Sequence, residues 1–521
     1  MDRRASFDPD RSDPDSAPAR PHVALQTSGA SPPHPRRWQA LALLCVAYFM
    51  NILDGTVVYV AMPPIERDLG FAQGSLQWVM TSYLIVYGGM LLLGGRAADL
   101  LGRRRVFMVG IALFVLSSLT CGLADSAGPL VASRAVQGLS AAIMTPTALA
   151  LVLDIFGDSA ERNKALGIWG AVGGIGATSG VLLGGPITDG LGWRWIFFIN
   201  IPVGIALLVL TRLVVRESRA TDARRAYDVA GGVTVTAALL AVTYAISEAP
   251  AVGWLSGRTL GVLAASVALF ALFVVIERRS VAPLVPLRIF RIPTFVGGNL
   301  VMLISGLSVD GMLLIATLYA QQVLGFSPIQ FGLTVAVMTV ASIGGAMIGQ
   351  AMVTKVGGRP VAVVAMLLLG ASFLMLAFVS VEGSFLVDLL PGMVIFGPGL
   401  GAATVAGTIA AFIEIGDEEY GLGSGLLETS FSIGGALGLA LLTSLALSHT
   451  TSLADGGTVT PHLLTQGYRF AFVAGIAFPV LGALVALTLL GGARPVAADE
   501  DAPGDPDTHD DHVANDSLRN G

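Results

Sequence analysis

Long apolar segments recur along nearly the whole chain, and they restrict its possible folds more than any other feature. A helix needs about 20 apolar residues to cross the hydrocarbon core of a membrane, and inside that core it satisfies its own backbone hydrogen bonds. Fourteen segments meet this requirement: 38–62, 76–95, 106–124, 129–153, 165–188, 195–215, 227–247, 259–277, 295–320, 330–353, 361–381, 384–412, 421–447 and 468–491. The predicted fold class is therefore an all-α polytopic membrane protein with 14 transmembrane helices. The short alternating segments of a membrane β-barrel are not found in the sequence.

The composition argues against several other classes of protein. Hydrophobic residues make up 54% of the 521 residues and charged residues only 13%, so neither a soluble enzyme nor a nucleic-acid partner is expected. Cys45 and Cys121 lie inside predicted spans, and the sequence has no HExxH motif or Cys/His set, so no disulfide framework or metal site is predicted. A GxxxxGK[ST] loop is also missing, so we expect neither ATP as energy source nor any cofactor.

Basic residues gather on one side of the fourteen-span arrangement, and the positive-inside rule makes that side cytoplasmic. With an even number of spans, both termini are then cytoplasmic. That side holds Arg36, Arg37, Arg103, Arg104, Arg105, Arg162, Lys164, Arg212, Arg216, Arg219, Arg224, Arg225, Arg278, Arg279, Arg288, Arg291, Lys355 and Arg359. The two ends, residues 1–37 and the acidic 492–521 with His509 and His512, are predicted to be disordered because they have little apolar surface to bury.

The sequence also carries an internal repeat with an offset close to 260 residues. Asp54-Gly55 corresponds to Asp310-Gly311, Gly138-Leu139 to Gly399-Leu400, and Gly173-Gly174 to Gly434-Gly435. The repeat predicts two pseudo-symmetric six-helix bundles, residues 38–215 and 295–491, separated by two extra spans and their linkers in 216–294. Repeats of this kind suit alternating access, in which two halves rock around a central site.

A glycine-rich turn with one acid and three arginines joins the second and third predicted spans. Its residues are Gly95, Asp99, Gly102, Arg103, Arg104 and Arg105, and a weaker copy runs from Gly349 to Arg359. The glycines let the backbone reverse, and the arginines hold the turn at the membrane surface, where anionic lipid headgroups attract them. Asp99 is predicted to contact a helix N-terminus near residues 421–425 in the outward-open state, because such a terminus stabilises a carboxylate.

These residues resemble the fourteen-span drug:proton antiporters of the major facilitator superfamily, over about residues 38–491. The resemblance includes the loop motif above and a first-span segment from Leu53 to Pro63, in which Tyr59 replaces the usual asparagine. The fourth-span motif is matched by Arg134, Gln137 and Gly138. The fifth-span antiporter motif is similar to Gly167, Gly176, Gly180, Gly184 and Gly185, with Val181 at the usual proline position. These glycines let helices pack closely. Two roles are open: close packing alone, or close packing that also seals the cavity against a proton leak.

The resemblance implies a major facilitator fold in a bacterial inner membrane and proton-coupled efflux of amphipathic drugs or antibiotics by alternating access. The alternatives are a dedicated exporter of one metabolite or antibiotic, a proton-coupled importer, and an intramembrane enzyme. The expected partners are a small-molecule substrate, protons and the lipid bilayer.

Four ionisable residues inside predicted spans are candidates for coupling protons to substrate: Asp54, Arg134, Asp310 and Glu428. Such residues are costly in hydrocarbon and are functional by default. Three roles are open for Asp54: it takes up and releases a proton, it holds a cationic substrate, or it is a structural acid. Asp310 occupies the equivalent place in the other half. Arg134 has Ile395 as its counterpart, and this asymmetry favours proton handling over a structural role. Glu428 either tunes the charge preference for substrate or lies near the end of its helix.

Overall fold

The computed structural model describes residues 36–71, 75–156, 160–218, 228–280, 283–415, 420–455 and 457–491. The terminal segments predicted to be disordered lie outside the described residues, except that Arg36 is described and Arg37 begins the first helix. The basic residues Arg219, Arg224 and Arg225 also lie outside them.

The described chain is almost entirely helical. Its helices are α1 Arg37–Leu69, α2 Trp78–Leu101, α3 Arg103–Gly122, α4 Ala127–Phe156, α5 Ala160–Leu191, α6 Trp195–Phe198, α7 Asn200–Val214, α8 Val229–Val252, α9 Gly257–Arg279, α10 Pro293–Leu318, α11 Pro328–Val356, α12 Gly358–Leu376, α13 Leu390–Phe412, α14 Tyr420–Ala454, α15 Pro461–Gly475 and α16 Ala477–Leu489. Fourteen helical segments in this part of the chain are long and apolar enough to cross a membrane, which confirms the predicted number.

Four of these spans are not simple α-helices. One is formed by α6 and α7 together, and another by α15 and α16. A π-helical turn, Tyr319–Val323, continues α10, and a second, Phe385–Leu389, precedes α13. We call the membrane face that holds residues 36 and 491 the terminal face, and the opposite one the distal face.

The glycine-rich turn between α2 and α3 lies at the terminal face and depends on Gly102. Its φ of 109° is a backbone conformation that residues with a Cβ rarely adopt. Gly357, with a φ of 88°, makes the corresponding turn between α11 and α12. The weaker copy of the loop motif therefore reverses the chain in the same way.

The helices form two bundles and a hairpin. Helices α1–α7 pack together, as do α10–α16, and the bundles meet mainly along two seams, α2 against α14 and α5 against α11. The extra spans, α8 and α9, form the hairpin, and α8 packs against both helices of the α2–α14 seam. Gln77 of α2's N-terminal flank donates to Ser247 at 2.8 Å, and Ile85 clusters with Leu239 and Ala436. The hairpin is thus fixed to both bundles.

Candidate functional site

Asp54 of α1 and Arg134 of α4 form an ion pair inside the first bundle. Arg134 Nη1 donates to Asp54 Oδ2 at 2.7 Å, and both side chains are 0% exposed. Gln137 Nε2 and Asn200 Nδ2 donate to Asp54 Oδ1 at 2.9 and 2.8 Å. Both carboxylate oxygens therefore have donors, as a buried charge requires.

Arg134 is also held by groups other than Asp54. Its Nε donates to the Val79 carbonyl oxygen at 3.1 Å, and its Nη1 donates to Gln137 Oε1 at 2.7 Å. The guanidinium carbon lies 4.3 Å from the ring centroid of Tyr83, which adds a cation–π contact. These contacts keep the guanidinium in place when the charge on Asp54 changes.

A proton on Asp54 would change the attraction between α1 and α4. Protonation removes the charge on Asp54 that attracts Arg134, and this attraction is far stronger in a bundle interior than in water. Helices α1 and α4 then lose the charge attraction that joins them, and a local charge change of this kind can bias a two-state element.

Two further members of this cluster, Ser118 of α3 and Asn200 of α7, are not among the site residues predicted from the sequence. Ser118 Oγ accepts from Gln137 at 2.8 Å and from Asn200 at 3.3 Å. Asn200 interrupts the apolar run from Trp195 to Val203, and this lone amide was a usable signal. Serine is common in spanning helices, so nothing in the sequence marks Ser118 as a member of the cluster.

Asp310 lies at the equivalent place on α10 but has a different kind of partner. The hydroxyl of Tyr59 in α1 donates to Asp310 Oδ1 at 2.6 Å. Within the described ranges, no basic side chain forms an ion pair with Asp310. One acid is therefore buried beside an arginine in its own bundle, whereas the other joins the two bundles.

Glu428 lies at the α2–α14 seam, about two turns after α14 begins at the terminal face. It accepts a hydrogen bond from the Tyr87 hydroxyl at 3.2 Å. The ring of Tyr87 stacks on that of Tyr83, with centroids 6.0 Å apart, and Tyr83 carries the guanidinium of Arg134. Stacked rings thus connect the seam acid to the ion pair.

The loop motif forms its ion pairs within the first bundle. Arg103 donates to Asp99 at 2.9 Å and to Asp154 of α4 at 3.3 Å. The backbone N–H of Arg104 donates to Glu217, after α7, at 3.0 Å. The turn is therefore tied to α4 through Asp154 and to the segment after α7 through Glu217. Neither acid is among the residues predicted from the sequence.

A cavity of about 550 Å³ lies between the bundles at the terminal face. Its wall includes Gly95 and Asp99 on α2, and Gly421 and Gly425 on α14. Near the distal face the bundles are instead in close contact, since a Cβ on Gly185 of α5 would meet the backbone of α11. Asp99 and the N-terminal end of α14 both line the cavity, and the direct contact expected between them in the outward-open state stays a prediction.

Four of the five fifth-span glycines lie at close helix contacts. Gly176, Gly180 and Gly184 face α1, and Gly185 faces α11. Gly167 faces open space. At the usual proline position, Val181 is buried, and its carbonyl oxygen approaches Gly332 of α11.

These two kinds of glycine give a matched pair of variants. Gly180→Val is expected to destabilise the protein by about 1–3 kcal/mol, because its side chain would collide with the Leu53 carbonyl oxygen and Thr56. Gly167→Val, in the same motif and helix, is expected to have little effect, since nothing lies within 4 Å of its Cβ position. The melting temperatures of the two purified variants in detergent measure the loss of stability in each. Equal losses in the two variants would contradict the contacts assigned to these glycines.

Comparison with known proteins decides the family. The protein-family model described as Major Facilitator Superfamily matches this sequence over residues 44–439 and 298–509. The chain belongs to the Major Facilitator Superfamily. This superfamily protein is 35% identical to the puromycin resistance protein pur8 of Streptomyces alboniger, over 92% of this chain and 96% of that one. It is 36% identical to the cephamycin export protein CmcT of Amycolatopsis lactamdurans, over 89% and 94%.

Solved structures agree on the fold of this major facilitator protein. A bacterial homolog of the human lysosomal transporter Spinster, in an inward-facing and occupied conformation, matches with a TM-score of 0.62 at 18% identity. The match covers 87% of this chain and 96% of the other. The predicted fold of two six-helix bundles with two extra spans is confirmed, and the family is one of transporters.

Proposed function

We propose that this protein is a proton-coupled exporter of amphipathic drugs or antibiotics in a bacterial inner membrane, with the terminal face in the cytoplasm. The buried pair of Asp54 and Arg134 carries the proposal, because the attraction between the two side chains depends on whether the carboxyl holds a proton. The proton gradient then supplies the energy, and no cofactor takes part.

In the proposed cycle, a proton reaches Asp54 while the distal side is open and weakens its attraction to Arg134. The bundles rock to the terminal-open arrangement, and the proton leaves to the cytoplasm as substrate enters the cavity. Exchange of proton for substrate at one site gives antiport. Rocking of two repeats around a central site is a common mechanism of secondary transporters.

The names of the two relatives support the outward direction, since one is a resistance protein and the other an export protein. Each is named for a single compound, which favours a second candidate function: a dedicated exporter of one antibiotic. The two candidates differ only in the breadth of substrate.

Everted membrane vesicles test the proposal. We expect the vesicles to accumulate at least one compound from a panel of ethidium, puromycin and other antibiotics when a pH gradient is imposed, and to lose it when a protonophore is added. Competition by many unrelated compounds supports a multidrug pump, and competition by one supports a dedicated exporter. Accumulation that persists with the protonophore would contradict proton coupling.

A further inference from the structure

We propose that Tyr59 and Asp310 form a distal latch between the bundles, and that a positively charged group on the transported molecule opens it by displacing Tyr59 from Asp310. The inference rests on the proposed function and adds a substrate class, cationic amphipathic molecules. It also gives a role to Tyr59, the residue at which the first span departs from the resembling family.

The latch is the innermost of three side-chain hydrogen bonds that join α1 to the second bundle among the described residues. Tyr59 donates to Asp310 at 2.6 Å, in the distal half of both helices. Toward the distal face, Gln321 donates to the Val60 carbonyl oxygen at 3.0 Å, and Gln322 donates to Glu66 at 2.8 Å. Both glutamines lie in the π-helical turn that ends α10, and π-helical turns are frequent at functional sites. These contacts close the distal side in the present structure.

The side chain of Asp310 is only partly covered by its neighbours. Leu303, Leu307 and Asp310 recur at spacings of four and three, so they share one face of α10, and all three are partly exposed. The second carboxylate oxygen of Asp310 lies against Gly435 of α14, where a Cβ would collide with it. The carboxylate is thus held on a partly exposed face of α10, beside α14.

Charge makes Asp310 a binding group for cations. Asp54 has Arg134, but neither Asp310 nor Glu428 has a basic partner in the part of the chain that the structure describes; each accepts from a tyrosine hydroxyl. A carboxylate binds an ammonium or similar cation more strongly than a neutral phenol, above all away from water. A cationic substrate is therefore expected to bind the Asp310 carboxylate and to displace the hydroxyl of Tyr59 from it.

This exchange links substrate binding to opening. The cation binds Asp310 better when Tyr59 has moved away, and a ligand shifts an equilibrium toward the state that it binds better. Once the innermost contact is lost, the two glutamine contacts remain as the only side-chain hydrogen bonds between α1 and the second bundle among the described residues. The distal side is then easier to open.

Two variants separate the two parts of the latch. Tyr59→Phe removes only the hydroxyl, so the distal side is expected to open more often without substrate and ethidium to bind about fivefold more tightly, because its competitor is gone. Asp310→Asn keeps an acceptor for Tyr59 but removes the charge, so the distal side stays closed and ethidium binds at least tenfold more weakly. A purely structural contact would weaken binding in both variants.

Tyr244→Phe is the matched control. The Tyr244 hydroxyl accepts a hydrogen bond from Arg258, and both residues belong to the hairpin of α8 and α9, so its loss leaves the latch intact. We expect this variant to match wild type in both measurements.

The distal opening is measured as the distance between spin labels at Arg67→Cys and Glu382→Cys, in protein whose buried Cys45 and Cys121 are replaced by alanine. Ethidium affinity is measured by fluorescence titration of the same purified protein. A Tyr59→Phe distance distribution identical to wild type would overturn the latch, and unchanged ethidium affinity in Asp310→Asn would overturn the displacement. Neither readout needs a pH gradient, so a failure of vesicle export counts against the proposed function alone.

Discussion

Asp54→Asn is expected to lower pH-gradient-driven accumulation in everted vesicles at least tenfold, to the background of membranes without the protein. Asparagine keeps the size of the side chain and its place between Gln137 and Asn200, but it cannot carry a proton. Arg134 stays bound to the Val79 carbonyl oxygen and the face of the Tyr83 ring. We therefore expect normal insertion, checked by the amount of protein in the membrane.

The control for this prediction is Asp125→Asn, which removes an exposed acid from the loop between α3 and α4. Its export should equal that of wild type, because among the described residues the Asp125 carboxylate accepts a side-chain hydrogen bond only from its neighbour Ser126. If Asp54→Asn retained gradient-driven export, the proton would have to bind elsewhere, and the cycle proposed above would be wrong.

Arg134→Met is expected to lower the free energy of unfolding by about 3–5 kcal/mol, because it leaves the Asp54 carboxylate buried without its cation. The double variant Asp54→Asn with Arg134→Met should recover a large part of this loss, since neither charge remains. Unfolding of the purified proteins in mixed detergent measures the three values.

Arg194→Met provides the comparison for a surface pair. Arg194 binds Asp68 at the membrane surface, with side chains 40% and 46% exposed. Exposed pairs contribute only about 0–1 kcal/mol, so the loss of stability in Arg194→Met should be small.

The double variant Asp54→Asn with Arg134→Met also tests the cause of the loss. If it is no more stable than Arg134→Met alone, the loss of stability comes from packing and not from the unpaired charge on Asp54.

The sequence was sufficient to predict the fourteen spans, because the need to bury about 20 apolar residues per span leaves a plain signal. Their ends were harder to predict. The first span was predicted to end at residue 62, before Pro63 and Pro64, yet α1 continues to Leu69. Neighbouring spanning helices can satisfy the backbone groups that a proline frees, so a proline is a weaker stop signal in a membrane bundle than in water.

The site was predictable where a residue's cost in the membrane marks it out. Asp54, Arg134 and Asp310 are visible because each is ionisable within an apolar run. Their partners were not visible, since they come from distant parts of the chain: Asn200 reaches Asp54 from α7, and Tyr59 reaches Asp310 from the other bundle. The difference between the two acids has a trace in the sequence, since Ile395 stands at the position that corresponds to Arg134, and Asp310 accepts from a tyrosine instead of an arginine.

The hairpin of α8 and α9 covers one of the two seams between the bundles and leaves the other without a covering helix among those described. Because α8 contacts both α2 and α14, it covers that seam along much of its length. A molecule dissolved in a lipid leaflet is sterically prevented from moving sideways into the cavity there. The seam of α5 and α11 has no such cover among the described helices. Lateral entry from the bilayer is therefore restricted to one flank of the protein.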